Sequence, residues 1–199
     1  MITRMDGDIG KIMALLRESG IDRNTVVFFS SDNGPHREGG ARPEFFKSGG
    51  PLRGIKRDLY EGGIRVPGIV RWPDRVKSGT VSDQVWAFWD FPPTAAEIAG
   101  VSPPENIDGI SILPALMSEK PKERECLYWE FHEGGFHQAV RMGDWKGVRI
   151  GKNKPVKLYD LRVDISEKHD VARAHPEVVA KIESLLKTAR TDSEHWPVR

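Results

Sequence analysis

The 199-residue chain has a single cysteine, Cys126, so neither an intrachain disulfide nor a cysteine-built zinc site can organise it. It has no apolar run near the roughly 18 residues that a membrane span requires. Its start, Met1-Ile2-Thr3-Arg4-Met5-Asp6, does not read as a secretory signal. The chain therefore reads as soluble, with no membrane partner and with its location left open. An excess of one charge is missing too: 30 Lys+Arg stand against 29 Asp+Glu, a formal net charge of +1. Nucleic-acid binding rests on clustered Lys and Arg neutralising phosphates, so no nucleic-acid partner is expected.

Backbone punctuation, by contrast, is plentiful. There are 20 glycines and 14 prolines, and 13 of these residues fall between Gly34 and Gly68. Loops beyond about 12–15 residues are usually functional or disordered. The stretch from Ser31 to Pro67 carries aromatics and paired charges, which favours function.

Ile2, Met5, Ile9, Ile12, Met13 and Leu16 recur at three- and four-residue steps ahead of Gly20, which predicts an amphipathic helix. Thr25-Val26-Val27-Phe28-Phe29-Ser30 predicts a strand apolar on both faces, the kind found inside a parallel sheet, with Gly68 to Trp72 as its best parallel neighbour. Asp90-Phe91-Pro92-Pro93 opens a short helix that ends at Gly100, with Asp90 as N-cap. These strands are too few to complete a sheet. Residues 1–120 are accordingly expected to be the later part of a larger α/β domain whose earlier strands lie upstream of Met1. Residues 121–199 predict a subdomain of four antiparallel strands: Leu127 to Phe131, Gln138 to Met142, Lys146 to Ile150 and Val156 to Leu161. Met142-Gly143-Asp144 marks a hairpin, and Pro176 begins a helix with Val178, Val179, Ile182, Leu185 and Leu186 on one face.

Two stretches carry candidate chemistry. Ser30-Ser31-Asp32-Asn33-Gly34-Pro35-His36 directly follows the predicted strand, and in open α/β sheets ligands gather at the carboxyl ends of strands. Asp32 and Asn33 are hard oxygen donors of the type Ca²⁺ or Mg²⁺ prefers. An Asx turn that merely ends the strand has the same composition. Between Gly49 and Pro67, Lys56 is either a solvated lysine or a compact cation on a flexible stem, suited to an oxyanion. Arg53 and Arg57 admit the same two readings, whereas Arg65 reads as structural, paired with Glu61. The glycines of this stretch would let its backbone approach a ligand.

Other candidates carry less. In His132-Glu133-Gly134-Gly135-Phe136-His137 the histidines stand five apart with two glycines between, so a hairpin loop fits better than a zinc helix. His169, His175 and His195 read as surface residues, and Cys126 as a small buried apolar group in a strand. Trp86, Trp89 and Trp129 could stack on a sugar, although core packing accounts equally well for Trp86 and Trp89.

Phe28-Phe29-Ser30-Ser31-Asp32-Asn33-Gly34, Pro51-Leu52-Arg53-Gly54-Ile55-Lys56 and Tyr60-Glu61-Gly62-Gly63-Ile64-Arg65-Val66-Pro67 resemble, in order and spacing, the arylsulfatase-type sulfatases of the alkaline phosphatase-like superfamily. The likeness continues through Ile69-Val70-Arg71-Trp72-Pro73, Asp90-Phe91-Pro92-Pro93-Thr94, Ile107-Asp108-Gly109-Ile110-Ser111, Trp145-Lys146 and Leu158-Tyr159-Asp160-Leu161. It implies an α/β fold: the later part of an alkaline phosphatase-like α/β sandwich plus a small C-terminal antiparallel sheet with a packed helix. It also implies hydrolysis of a sulfate ester on a small carbohydrate or aryl substrate, through a formylglycine made from Cys or Ser. By the resemblance, Asp32 and Asn33 match a pair of metal ligands, for Ca²⁺ in preference to Mg²⁺. Lys56 matches a lysine that binds the sulfate and serves catalysis at the leaving oxygen, and His36 stands at a substrate-facing position.

The family's Cys/Ser-x-Pro-x-Arg nucleophile motif is absent, since Cys126 is followed by Leu127-Tyr128-Trp129. The resemblance thus places the formylglycine and the first pair of metal-binding aspartates upstream of Met1, in a missing N-terminal part of the same polypeptide. On that reading the chain alone is inactive. Two alternatives stay open: a phosphomonoester or phosphonate hydrolase of the same superfamily, and a non-catalytic remnant.

Overall fold

The computed structural model describes residues 1–198. In chain order the elements are α1 (Ile2–Glu18), β1 (Val27–Ser30), α2 (Pro43–Phe46), α3 (Glu61–Ile64), β2 (Gly68–Arg71), α4 (Phe91–Ala99), α5 (Leu113–Leu116), β3 (Leu127–Phe131), β4 (His137–Met142), β5 (Trp145–Ile150), β6 (Lys157–Asp160) and α6 (Pro176–Thr188). They form two compact units: Met1–Ser30 with Pro67–Glu123, and Ser31–Val66 with the chain from Arg124 onward. No helix among the described residues is long and apolar enough to cross a membrane.

In the first unit β1 pairs with β2 antiparallel, from Val27↔Arg71 to Ser30↔Gly68. The parallel pairing expected from sequence is therefore corrected. An apolar run reports burial on both faces but carries no information about strand direction. The chain leaves β1 and re-enters β2 at the same end, where the Ser30 hydroxyl donates to the Pro67 carbonyl at 2.8 Å. All four β1 residues are half-buried, not enclosed.

Helix α1 forms where its periodicity placed it, yet it buries none of its residues, and Ile2, Met5, Ile12 and Leu15 are exposed. Helix α4 ends on Gly100 in the left-handed conformation, φ 70°. Asp90 holds the N-cap position of α4, though not through a side-chain capping hydrogen bond. Its fully buried carboxylate accepts instead from the Ala87 amide at 2.7 Å and the Ile110 amide at 2.9 Å. The Thr94 hydroxyl continues this network, donating to the Asp90 carbonyl and accepting from the Ile112 amide.

The second unit is built on the antiparallel sheet β3-β4-β5-β6, in sequential order. Side chains alternate between the faces of a strand, and both faces of this sheet are covered. Val140 and Leu158 join Ile182, Leu185 and Leu186 of α6 in one apolar cluster. Ala139, Val148 and Tyr159 join Leu59 and Tyr60 in a second cluster on residues of the opposite alternation. In β5, a Cβ on Gly147 would lie 2.4 Å from a methyl carbon of Ile182, so glycine is what lets α6 seat there. The cover on the second face comes from the glycine-rich loop, through Leu59 and Tyr60. Cys126 lies one residue before β3, half-buried rather than buried in a strand, and burial raises its thiol pKa.

Candidate functional site

Asp32 and Asn33 form the bend immediately after β1, and the next residue is tied to the glycine-rich loop. The Gly34 amide donates to the Gly63 carbonyl at 3.0 Å, and the Lys56 amide donates to the Pro35 carbonyl at 2.8 Å. The turn bearing Asp32 and Asn33 and the loop bearing Lys56 are thus stitched together by main-chain hydrogen bonds.

This stitching explains the glycines. A Cβ on Gly34 would sit 1.8 Å from the Gly62 carbonyl oxygen, and one on Gly63 would sit 2.1 Å from the Asp58 carbonyl oxygen. No real Cβ tolerates such a separation, so glycine is required at both positions. The close approach that the glycines permit is between two stretches of the chain itself, where sequence reading expected an approach to a ligand.

Side chains complete the frame. Glu61, only 2% exposed, receives Lys146 Nζ at 2.7 Å, Arg141 at 3.4 Å and Arg65 at 3.6 Å. Burial opposes charge on Glu61, but Lys146, Arg141 and Arg65 together hold its carboxyl below the ordinary glutamate value. Glu167, fully buried, accepts the Glu61 main-chain amide at 2.7 Å and lies 3.9 Å from Lys146 Nζ. Burial pushes the Glu167 carboxyl up to about 7. The Glu61–Arg65 pairing expected from sequence is present. Lys146 and Glu167 enlarge it into a brace between the loop and the sheet.

The other loop cations divide cleanly. Arg53 donates to the Glu167 carbonyl at 2.8 Å and lies over the Tyr60 ring at 3.8 Å. Arg57 is paired with Glu38 at 2.6 Å and Glu133 at 2.9 Å. Both therefore help to hold the loop. Lys56 is half-buried and forms no ion pair among the described residues. It lines an open depression of about 540 Å³, together with Pro35, Arg37, Glu44, Lys47 and Asp58 among others.

Asp32 is exposed, and its carboxylate forms no ion pair among the described residues. The Asn33 amide nitrogen donates to the Gly34 carbonyl at 2.8 Å, which leaves Oδ1, the atom a cation would use. Both donors thus suit a hard cation, although neither side chain lines the depression. Among the described residues no group of three or more His, Cys, Asp or Glu side chains could hold a metal. Two donors fall short of the six to eight oxygens Ca²⁺ takes. His36 Nδ1 accepts the Glu38 amide at 3.0 Å, which assigns the proton to Nε2 when the ring is neutral.

The remaining candidates resolve structurally. Trp86 packs over Gly68 and edge-on to Phe28, with ring centroids 6.4 Å apart. Trp129 lies in β3 against the second apolar cluster. His132 and His137 flank the turn between β3 and β4, as the hairpin reading expected.

The fold is that of the alkaline phosphatase-like α/β proteins. The sulfatase profile matches residues 1–101, and a profile for the C-terminal part of N-sulphoglucosamine sulphohydrolase matches residues 55–192. The chain belongs to the sulfatase family. It is 36% identical over 147 residues to an N-acetylgalactosamine-6-sulfatase of Canis lupus familiaris, covering 73% of this chain and 27% of that protein. It is 31% identical over 213 residues to an N-acetylgalactosamine-6-O-sulfatase of Bacteroides thetaiotaomicron, covering 96% of this chain and 41% of that one. Among solved structures, Ps i-CgsB in complex with k-i-k-neocarrahexaose superimposes with a TM-score of 0.83 at 31% identity, over 95% of this chain and 41% of the other. The chain therefore spans less than half the length of these relatives.

Proposed function

We propose that the chain forms part of a sulfatase that hydrolyses sulfate esters of carbohydrates, and that it supplies two metal ligands and one sulfate-binding lysine. The reading is supported above all by the main-chain stitching that holds the Asp32-Asn33 turn against the Lys56 loop. The relatives' names support a sugar sulfate as the substrate class.

In this reading Asp32 and Asn33 Oδ1 are two of the oxygens around a Ca²⁺, which when bound supplies positive charge to orient and polarise the sulfate. Lys56 places its ammonium against a sulfate oxygen, neutralises charge that grows on the ester oxygen and can deliver a proton there. His36 presents Nε2–H as a donor to the bound anion. Glu61, Lys146 and Glu167 hold the Lys56 loop in place. The formylglycine nucleophile would come from outside residues 1–199, because the sequence holds no Cys/Ser-x-Pro-x-Arg motif.

The test uses the complete polypeptide acting on an aryl sulfate and on the matching aryl phosphate. Lys56→Ala should lower kcat/KM on the sulfate about 10²- to 10³-fold, the loss expected for one oxyanion donor. An unchanged rate removes Lys56 from the mechanism, and a preference for the phosphate replaces the sulfatase reading. The 199-residue chain alone should show no hydrolysis above a Lys56→Ala control.

A further inference from the structure

Asn33 is the only one of the four asparagines that is followed by glycine; Asn24, Asn106 and Asn153 precede Thr25, Ile107 and Lys154. An asparagine side-chain amide is open to attack by the main-chain nitrogen of the next residue. Glycine, with no Cβ, leaves that nitrogen least hindered and the backbone freest to bring it into line. A peptide nitrogen shares its lone pair with the carbonyl, so it attacks only once it has given up its proton. Asn33-Gly34 is thus a reactive pair by composition, and the fold decides when it reacts.

The peptide between them is pinned at both of its polar atoms. The Asn33 carbonyl accepts from the Ser31 hydroxyl at 3.0 Å, and the Gly34 amide donates to the Gly63 carbonyl at 3.0 Å. Gly34 is buried, and the Gly62 carbonyl oxygen stands 1.8 Å from the place its Cβ would take. The next carbonyl along, that of Pro35, is held by the Lys56 amide. The Asn33 side chain is nonetheless turned onto the residue that would attack it, with Nδ2 2.8 Å from the Gly34 carbonyl oxygen. What the fold withholds is the loss of the proton, because a buried, hydrogen-bonded amide releases it only when the bond opens.

We propose that Asn33 is a site of self-modification that the stitching of the glycine-rich loop holds latent, and that opening of the Gly34–Gly63 hydrogen bond releases it. In the open form the Gly34 nitrogen gives its proton to water and attacks Asn33 Cγ. A bond forms from that nitrogen to Cγ, the Cγ–Nδ2 bond breaks, and Nδ2 takes up a proton and leaves as ammonia. Water then opens the cyclic imide at either carbonyl, giving aspartate or isoaspartate. The balance is one side-chain amide and one water converted to a carboxylic acid and ammonia. Isoaspartate adds a methylene to the main chain just ahead of Gly34, where the close approach to Gly62 leaves no room for a shifted register, so the stitch does not re-form. Aspartate keeps the chain length but sets a second carboxylate beside Asp32. On the reading of Asn33 as a metal ligand both products alter the Ca²⁺ site, whereas the chemistry at Asn33 stands without that reading.

The experiment incubates the 199-residue chain at one mildly alkaline pH, folded and in urea, and reads each asparagine by peptide mapping with mass spectrometry. Conversion at exposed Asn153 in the same sample corrects for the solvent. Asn33 should convert at least about tenfold faster in urea than in the folded chain, since an opening free energy of about 1.4 kcal/mol already gives that factor. The product should include isoaspartate. Gly34→Ala, compared in urea where its folding is immaterial, should slow the reaction by crowding the attacking nitrogen. Ser31→Ala removes one hold on the peptide and should speed conversion in the folded chain about two- to tenfold, as loss of one hydrogen bond would, with no change in urea. Equal rates in the folded and unfolded chain, conversion in urea no faster than at Asn153, or a folded Ser31→Ala chain no faster than the parent would each overturn the proposal. None of these outcomes bears on the sulfatase reading, which the Lys56→Ala assay tests.

Discussion

At the residue scale the decisive group is the buried set of Lys146, Glu61 and Glu167. Taking a charge out of water costs several kcal/mol unless a partner repays it, and removing one partner leaves the rest uncompensated. Lys146→Met should therefore destabilise the chain by about 3–5 kcal/mol in denaturant unfolding, and Lys146→Met/Glu61→Met by clearly less. If the single and double variants are equally unstable, the contact is packing and not charge pairing. Glu167 adds a pH dependence. Its carboxyl stands at about 7 in the folded chain against an ordinary 4.5, raised by burial and opposed by Lys146. Between those values the folded state binds the extra proton, so this contribution is complete below 4.5 and fades as pH rises through about 7. Glu167→Gln should flatten the decline in stability between pH 5 and pH 8, about the window these values define. An unchanged slope would assign it to other groups.

At the scale of elements, glycine does opposite things in the loop and in the first helix. Gly34→Ala pushes a methyl into the Gly62 carbonyl and should cost about 2–4 kcal/mol while loosening the Lys56 loop. Gly10→Ala sits in α1 with nothing within 4 Å of the new methyl and should stabilise the helix by roughly 0.5–1 kcal/mol. Thermal melts followed by circular dichroism would separate the two, and a neutral Gly34→Ala would mean that the stitched loop is slack. Sequence could show that this loop was glycine-rich but not what the glycines approach, because close backbone contact with a ligand and with the chain leaves the same composition. Strands β3–β6 and helix α6 were legible, since alternation and a three-to-four-residue period are local signals. The pairing of β1 was not, since direction is set by where the chain returns. Asp32, Asn33, His36 and Lys56 stood out through a resemblance in their motifs.

At the scale of the whole molecule the two units differ in what they bury. The second has an antiparallel sheet covered on both faces, two apolar clusters and the ionic brace. The first has a two-stranded sheet of half-buried and exposed residues, and a 17-residue helix that buries none. A two-stranded sheet alone is marginal in water, and helices owe most of their stability to packing an apolar face. Local opening free energies should follow that contrast. In native-state hydrogen exchange, amides of β4 and β5 should exchange only through global opening of their unit, and those of α1 and β1 much faster. Adding denaturant should leave α1 and β1 exchange almost unchanged until the main transition, the sign of local fluctuation. Protection in α1 equal to that in β4 would show that the helix's apolar face is covered in solution, and Ile12→Glu would then reduce it. Where α1 is as exposed as the fold shows, the same substitution should move stability by less than about 0.5 kcal/mol, while Leu158→Ala in the sheet should cost about 2–5 kcal/mol.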